Sequence, residues 1–149
     1  MLYKKAATEF KDRDGHTPLL QATGKGHEAA ARRLISAGAN VFVKSKTGNT
    51  PLMLAADHGH SILVHQLIAK GSKVNEKNIA GNTALLMAVK NGHLETAKVL
   101  LSQGADPYLR NNNREQAHVV VPKGRDDILA LLENHNNSKS WLADIFSTK

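Results

Sequence analysis

The chain has 149 residues, no cysteine and a net charge of +7. The lack of cysteine excludes disulfides, thiolate chemistry and cysteine-based zinc sites, and no run of about 18 apolar residues offers a membrane span. The positive charge favours acidic partners, which are acidic protein surfaces, nucleic acid or anionic lipid.

The N-terminal segment, residues 1–14, lacks the apolar stretch of a secretory signal. We therefore expect an intracellular protein, either cytoplasmic or nuclear. The segment matches the end of the unit that repeats further along the chain, so it is predicted to be a partial repeat.

From Gly15 onwards the sequence repeats with a period of 33 residues. Such a period is typical of stacked repeats. The three full units are residues 15–47, 48–80 and 81–113. The columns that hold the spacing are Gly15, Gly48 and Gly81; Thr17, Thr50 and Thr83; Leu19, Leu52 and Leu85; Ala22, Ala55 and Ala88; Gly26-His27, Gly59-His60 and Gly92-His93; Leu34, Leu67 and Leu100; and Gly38, Gly71 and Gly104.

Each unit predicts two helices and a loop. Thr17 and Pro18 indicate a helix start, because threonine accepts a hydrogen bond at the N-cap and proline suits the first helical position. Gly26 then ends the helix in the left-handed cap conformation. A second helix follows, as in residues 60–68, where the apolar side chains have helical spacing. The polar stretch after its own capping glycine predicts a hairpin-like loop.

The fourth unit, residues 114–137, is degenerate. Arg114 replaces the turn glycine, Gln116 the threonine cap and Ala117 the proline. Its end still fits a second helix, with Asn136 where a capping glycine belongs. Because the outer face of a terminal repeat meets water, such repeats are often atypical, and this unit is predicted to cap the stack.

The tail, residues 138–149, contains the single tryptophan of the chain. Its apolar residues would share one side of a helix. That strip is expected either to fold back on the last repeat and cover its apolar side, or to dock a partner, or to be disordered. The residues concerned are Trp141, Leu142, Ile145 and Phe146.

A 33-residue unit with Gly-x-Thr-Pro-Leu, then Ala, Gly-His, Leu-Leu or Leu-Ile, and Gly-Ala resembles the ankyrin repeat. Residues 12–110 fit it. The resemblance implies an all-α solenoid of stacked helix-turn-helix units with projecting hairpin loops. It also implies a concave face, lined by the loops and first helices, that binds other proteins.

Positions around the turn glycine and at the end of the first helix make the contacts in this family. Carried over to this chain, they predict a partner-binding set drawn from all three full units. Its members are Arg13, Asp14, His16, Lys46, Thr47, Asn49, Asp57, His58, Ile79, Ala80, Asn82, Lys90 and Asn91.

One departure from the family concerns the residue after Thr-Pro-Leu, which is often a histidine that bonds between repeats. Here the position holds Leu20, Met53 and Leu86. We therefore expect apolar contact in place of the usual hydrogen bonding between repeats.

A column of cations lies four residues before each turn-glycine position. In a stack these residues form a basic ladder along the loop edge, which is either a solvated edge or a contact for an anionic partner. The basic ladder consists of Lys11, Lys44, Lys77 and Arg110.

The sequence contains no recognisable catalytic or metal-binding motif. His27, His60 and His93 belong to a repeat column and are predicted to be structural. No histidine pair has the spacing of a zinc site, and neither a nucleophile elbow nor a phosphate-binding loop occurs. We expect no catalytic residue, metal, cofactor or small-molecule substrate.

The leading prediction is a monomeric, non-enzymatic module that binds a protein with an acidic surface. One alternative is non-specific binding of nucleic acid or another polyanion by the basic surface. Another is that the chain is the scaffold region of a larger, effector-type ankyrin protein.

Overall fold

The computed structural model describes the backbone of residues 8–147 and the side chains of residues 8–138. Within that part, Thr8 and Glu9 are helical, no strand occurs, and seven further helices follow. The helices are α1 (Pro18–Gly24), α2 (Glu28–Ser36), α3 (Pro51–Asp57), α4 (Ser61–Ala69), α5 (Ala84–Lys90), α6 (Leu94–Ser102) and α7 (Asp126–Ser147).

Threonine caps the first helix of every full unit. The Oγ1 atom of Thr17 accepts a hydrogen bond from the backbone N–H of Leu20 at 3.3 Å. Thr50 and Thr83 accept equivalent bonds, each at 3.2 Å. The repeated threonine therefore satisfies a helix N–H that would otherwise lack a partner.

Residues with positive φ occur at two positions of each unit, after the first helix and at the turn-glycine position of the loop. Gly26, Gly59 and Gly92 turn the chain into the second helix with φ between 72° and 75°. Arg114 takes the turn-glycine position of the fourth unit and has a φ of 64°, so a side chain occupies left-handed backbone there.

The helices stack in two layers. The first helices α1, α3 and α5 contact one another in order, and the second helices α2, α4, α6 and α7 do the same. Small alanines and larger leucines from both layers form one continuous core, which includes Leu52, Leu67, Leu85 and Leu100. This arrangement confirms the predicted all-α repeat solenoid.

The fourth unit departs from the others in having no first helix. Residues 117–120 form turns, and the chain then enters α7. Ala117 and Ile128 are nevertheless buried and extend the core. The end of the unit forms a second helix, as the sequence predicts.

The prediction that Asn136 ends this helix is wrong. α7 continues without a break from Asp126 to Ser147, because no glycine occurs between those residues to turn the chain. The tail therefore extends the last second helix and does not fold back through a turn. The side chains of Trp141, Leu142, Ile145 and Phe146 lie outside the described residues, so the role of this strip stays a prediction.

The residue after Thr-Pro-Leu makes apolar contacts, as expected, although hydrogen bonds between repeats arise at another position of the unit. Leu20, Met53 and Leu86 are buried, but histidines elsewhere in the unit bond to the preceding repeat. The Nε2 atom of His60 lies 3.1 Å from the carbonyl oxygen of Gly26, and that of His93 lies 2.8 Å from the oxygen of Asp57. The histidine that follows the capping glycine therefore forms a hydrogen bond between units.

Candidate functional site: the loop–helix face

A polar side chain closes each projecting loop. Asp12, Ser45, Asn78 and Asn111 stand one repeat apart, and each accepts a hydrogen bond from the backbone N–H four residues later at 2.8 to 3.2 Å. These bonds give every loop the same bend, so that equivalent residues of successive loops lie side by side.

Neighbouring loops are also bonded to each other. The backbone N–H of Ile79 donates to the carbonyl oxygen of Thr47 at 3.0 Å. The Nδ2 atom of Asn78 donates to Oδ1 of Asn49 at 2.7 Å, and Asn111 repeats this bond to Asn82 at 2.9 Å. The loops and the first helices α1, α3 and α5 therefore form one continuous surface, here called the loop–helix face.

The first cavity on this face has a volume of about 400 Å³. Its walls come from the first two loops and from α1 and α3, whose Leu20 and Leu54 supply its apolar part. Four residues predicted from the sequence line it, namely Asp14, His16, Thr47 and Asn49.

A second cavity, of about 200 Å³, lies between the third and fourth units. Leu86, Met87 and Val120 contribute its apolar side chains. Four further predicted residues line it, namely Asp57, Asn82, Lys90 and Asn91. The loop that carries Ile79 adjoins both cavities, because the Ile79 N–H donates to the carbonyl oxygen of Thr47, which lines the first, and Asn82 of the same loop lines the second.

Comparison with known proteins decides the family. A family model described as "Ankyrin repeats (3 copies)" matches residues 1–78 and 58–141. The chain belongs to the ankyrin-repeat family. Ankyrin repeats are generally protein–protein interaction modules and are typically non-enzymatic. No curated protein matches the sequence.

The remaining predicted residues lie outside both cavities of the ankyrin stack. Arg13, Lys46, Ile79 and Ala80 are exposed on the loops, and the Ile79 side chain is 70% exposed. His58 differs from them, because its Nε2 atom lies 3.0 Å from the carbonyl oxygen of Gly24 in the preceding repeat. Its ring also stacks on His60, so His58 has a structural contact in addition to any binding role.

The basic ladder is exposed, as expected, but parts of it are engaged within the ankyrin stack. Lys44 forms an ion pair with Glu76, and Lys77 donates to the carbonyl oxygen of Arg110 at 2.7 Å. The ion pair cancels the charge of Lys44, and the hydrogen bond occupies one donor of Lys77 without changing its charge.

Asp12, Asp14 and His16 bring ligand atoms within 4.8 Å of one another, a juxtaposition that the sequence did not predict. Both oxygens of Asp12 already accept hydrogen bonds, from the backbone of Asp14 and His16 and from Gln21. The bond from the His16 backbone, followed by that from Gln21, holds the pKa of Asp12 below its usual value. We assign no metal-binding role to this cluster.

Sequence reasoning missed several residues that line the cavities. Gln21, Lys25 and Leu54 line the first, and Met87 and Glu115 the second. The polar column that closes the loops was visible as Asp12, Ser45, Asn78 and Asn111. The apolar lining was not visible, because the sequence pattern of an apolar helical position is the same whether the side chain faces a cavity or the interior.

Among the described residues, no helix has the length and apolar character that crossing a bilayer demands.

Proposed function

We propose that this chain binds a partner protein through the loop–helix face, as a monomer and without catalysis. The observation that carries the proposal is that Ile79, 70% exposed, lies on a loop that adjoins two cavities lined by eight of the predicted residues. An exposed apolar side chain surrounded by polar groups is common in protein interfaces, where few residues supply most of the binding energy.

The cavities suit side chains of a protein partner better than a separate small ligand. They are open recesses of about 400 and 200 Å³, and at least one of them falls below the usual size of a drug-sized site, which is roughly 300–1,000 Å³. We therefore expect the partner to insert side chains on either side of Ile79.

The test replaces Lys46 and Lys90 by alanine and Ile79 by serine in one variant. Within residues 8–138 none of these side chains makes a hydrogen bond, and the 3.8 Å pair between Lys46 and the exposed Asp14 contributes little. The variant should therefore fold normally and lose at least about tenfold in affinity for a captured partner, since hot-spot truncation costs about 2 kcal/mol or more.

A matched control carries Lys73→Ala, Lys123→Ala and Tyr108→Ser, which also removes two cations and one exposed apolar side chain. It should retain the partner in the same affinity-capture and titration assay. Equal binding by both variants, with equal melting curves, would remove the loop–helix face as the binding surface.

Binding of nucleic acid is the less supported function, since Glu76 and the Arg110 carbonyl engage two members of the basic ladder. We expect no gel shift with mixed DNA and RNA at physiological salt. A salt-sensitive shift that Lys11→Gln with Arg110→Gln abolishes would favour the polyanion function instead.

A further inference from the structure

The outer surface of the second helices carries an unpaired arginine pair on α2. Arg32 and Arg33 are both exposed, and within residues 8–138 neither guanidinium has a hydrogen bond or an ion pair. Together with Ser36 and with Gln66 of α4 they line a shallow cavity of about 300 Å³ between the two helices. We call this surface, with Ile62 and His65, the arginine patch.

Among the side chains of residues 8–138, no carboxylate pairs with the arginines of this patch. Glu28 is the single acidic residue of α2, and its Oε2 atom lies 3.0 Å from Nδ1 of His60. Helix α4 has none, and the sequence of residues 1–7 contains none either. Charge complementarity therefore favours an anionic occupant, and the planar guanidinium of arginine matches a carboxylate with two parallel hydrogen bonds.

The patch is short. On α6, the next second helix, Glu95 forms a 2.9 Å ion pair with Lys98 and its side chain is 72% exposed. This ion pair cancels the charge of Lys98, so the positive surface does not continue onto α6 for a longer phosphodiester backbone to follow. Two neighbouring helices with axes about 10 Å apart, each about 10 Å in diameter, present a width of roughly 20 Å, which corresponds to about six residues of an extended peptide at roughly 3.3 Å each.

The patch also contains an apolar contact. Ile62 is 59% exposed, and it lies one helical turn before Gln66 on the same face of α4. A nucleic acid backbone has no group for such a side chain, whereas a peptide can place a leucine there.

We propose that the arginine patch is a second interaction surface, which binds an acidic segment of a partner protein with carboxylates at Arg32 and Arg33 and an apolar residue at Ile62. This surface lies on the second helices, away from the loop–helix face, and does not depend on the function proposed for that face.

The probe is a fluorescein-labelled hexapeptide of alternating glutamate and leucine, titrated with the full chain and followed by fluorescence anisotropy. Arg32→Gln with Arg33→Gln should raise the Kd about tenfold or more, because it removes two charge-assisted contacts. Arg32→Lys with Arg33→Lys keeps the charge but loses the paired geometry and should weaken binding to an intermediate extent. Ile62→Ser should also weaken it.

The matched control, Lys11→Gln with Arg110→Gln, removes the same charge from the basic ladder and should change the Kd less than about twofold, since its charges make no direct contact. The Lys46, Ile79 and Lys90 variant should bind the hexapeptide normally, so failure of the loop–helix face and failure of the arginine patch are distinguishable.

Three results would overturn the proposal. The first is no binding of the hexapeptide by the unaltered chain, and the second is equal weakening by the two charge-matched pairs of substitutions. The third is that duplex DNA or phosphatidylserine vesicles, but not the hexapeptide, bind in a way that depends on Arg32 and Arg33.

Discussion

At the scale of single residues, positive φ at the repeated glycine positions restricts which amino acids the chain tolerates there. Arg114 has left-handed backbone that costs a non-glycine residue roughly 1–2 kcal/mol. Every equivalent turn residue in the full units is glycine, as at Gly48 and Gly81. The fourth unit therefore contains a strained position that a single substitution relieves.

Arg114→Gly is expected to stabilise the chain by about 0.5–1 kcal/mol, because the relief of strain exceeds the added freedom of the unfolded chain. Urea unfolding measures the change. Arg114→Ala is the control, since it removes the same side chain but keeps a Cβ and should give no gain. Equal stability of the glycine and alanine variants would contradict the strain argument.

Gly59→Ala is expected to destabilise the fold by about 2–4 kcal/mol, from left-handed strain together with overpacking. A Cβ at this position, where φ is 75°, would lie 2.5 Å from Nδ1 of His93. Gly104→Ala is the matched case, because φ is 93° but no atom lies within 4 Å of the new Cβ. It should cost about 1 kcal/mol in the same unfolding experiment, and equal losses would show that the His93 contact does not matter.

Asp12 predicts a pH dependence. Hydrogen bonds from the His16 backbone and from Gln21 lower the pKa of its carboxyl group. Its stabilising contribution is therefore complete above the unfolded pKa of about 3.9 and is lost as the pH falls through the lower folded value. Asp12→Asn keeps an oxygen that can close the loop, as Asn78 and Asn111 do two and three repeats further on.

As the pH is lowered from 5.5 to below about 4, the unfolding free energy of the unaltered chain should fall more than that of the Asp12→Asn variant. Urea unfolding at several pH values measures the difference between the two proteins. A difference that stays constant across this range would contradict the assignment.

At the scale of elements, the first helices depend on their threonine caps. Thr50→Val removes the hydroxyl that accepts the Met53 N–H while keeping the shape of the side chain. The expected loss is about 1 kcal/mol of unfolding free energy. Thr47→Val, at an exposed loop position, should change stability by less than about 0.5 kcal/mol, and similar losses for both would argue against a capping role.

At the scale of the whole molecule, hydrogen bonds between repeats couple the stability of each unit to that of its neighbour. Arg125 takes the column position of His60 and His93, and its Nη1 atom donates to the carbonyl oxygen of Gly92. Asp127 holds the guanidinium in place at 2.8 Å and raises the pKa of Arg125 by that hydrogen bond. The terminal unit is thereby tied to the third repeat.

Arg125→Ala should loosen the fourth unit selectively, because repeat stacks unfold locally from their ends. Hydrogen exchange in the first turns of α7 should become several-fold faster, while α3 and α4 remain unchanged. Arg125→His should restore much of the protection, since His60 bonds to the equivalent carbonyl oxygen, that of Gly26, and His93 bonds to another carbonyl oxygen of the preceding repeat, that of Asp57. A uniform increase over all helices would contradict local coupling.

The sequence by itself determined the period, which is visible in the repeated residues. It also determined the order of the helices, their threonine caps and their glycine ends, since these depend on contacts within about four residues. Eight residues that the sequence predicted for partner binding line the two cavities. The partners of His58 and His60, the cavities themselves and the arginine patch were decided only by the tertiary structure, since they join residues 29 or more positions apart in the chain. The continuation of α7 past Asn136 likewise required the structure, because an asparagine permits a helix end but does not impose one.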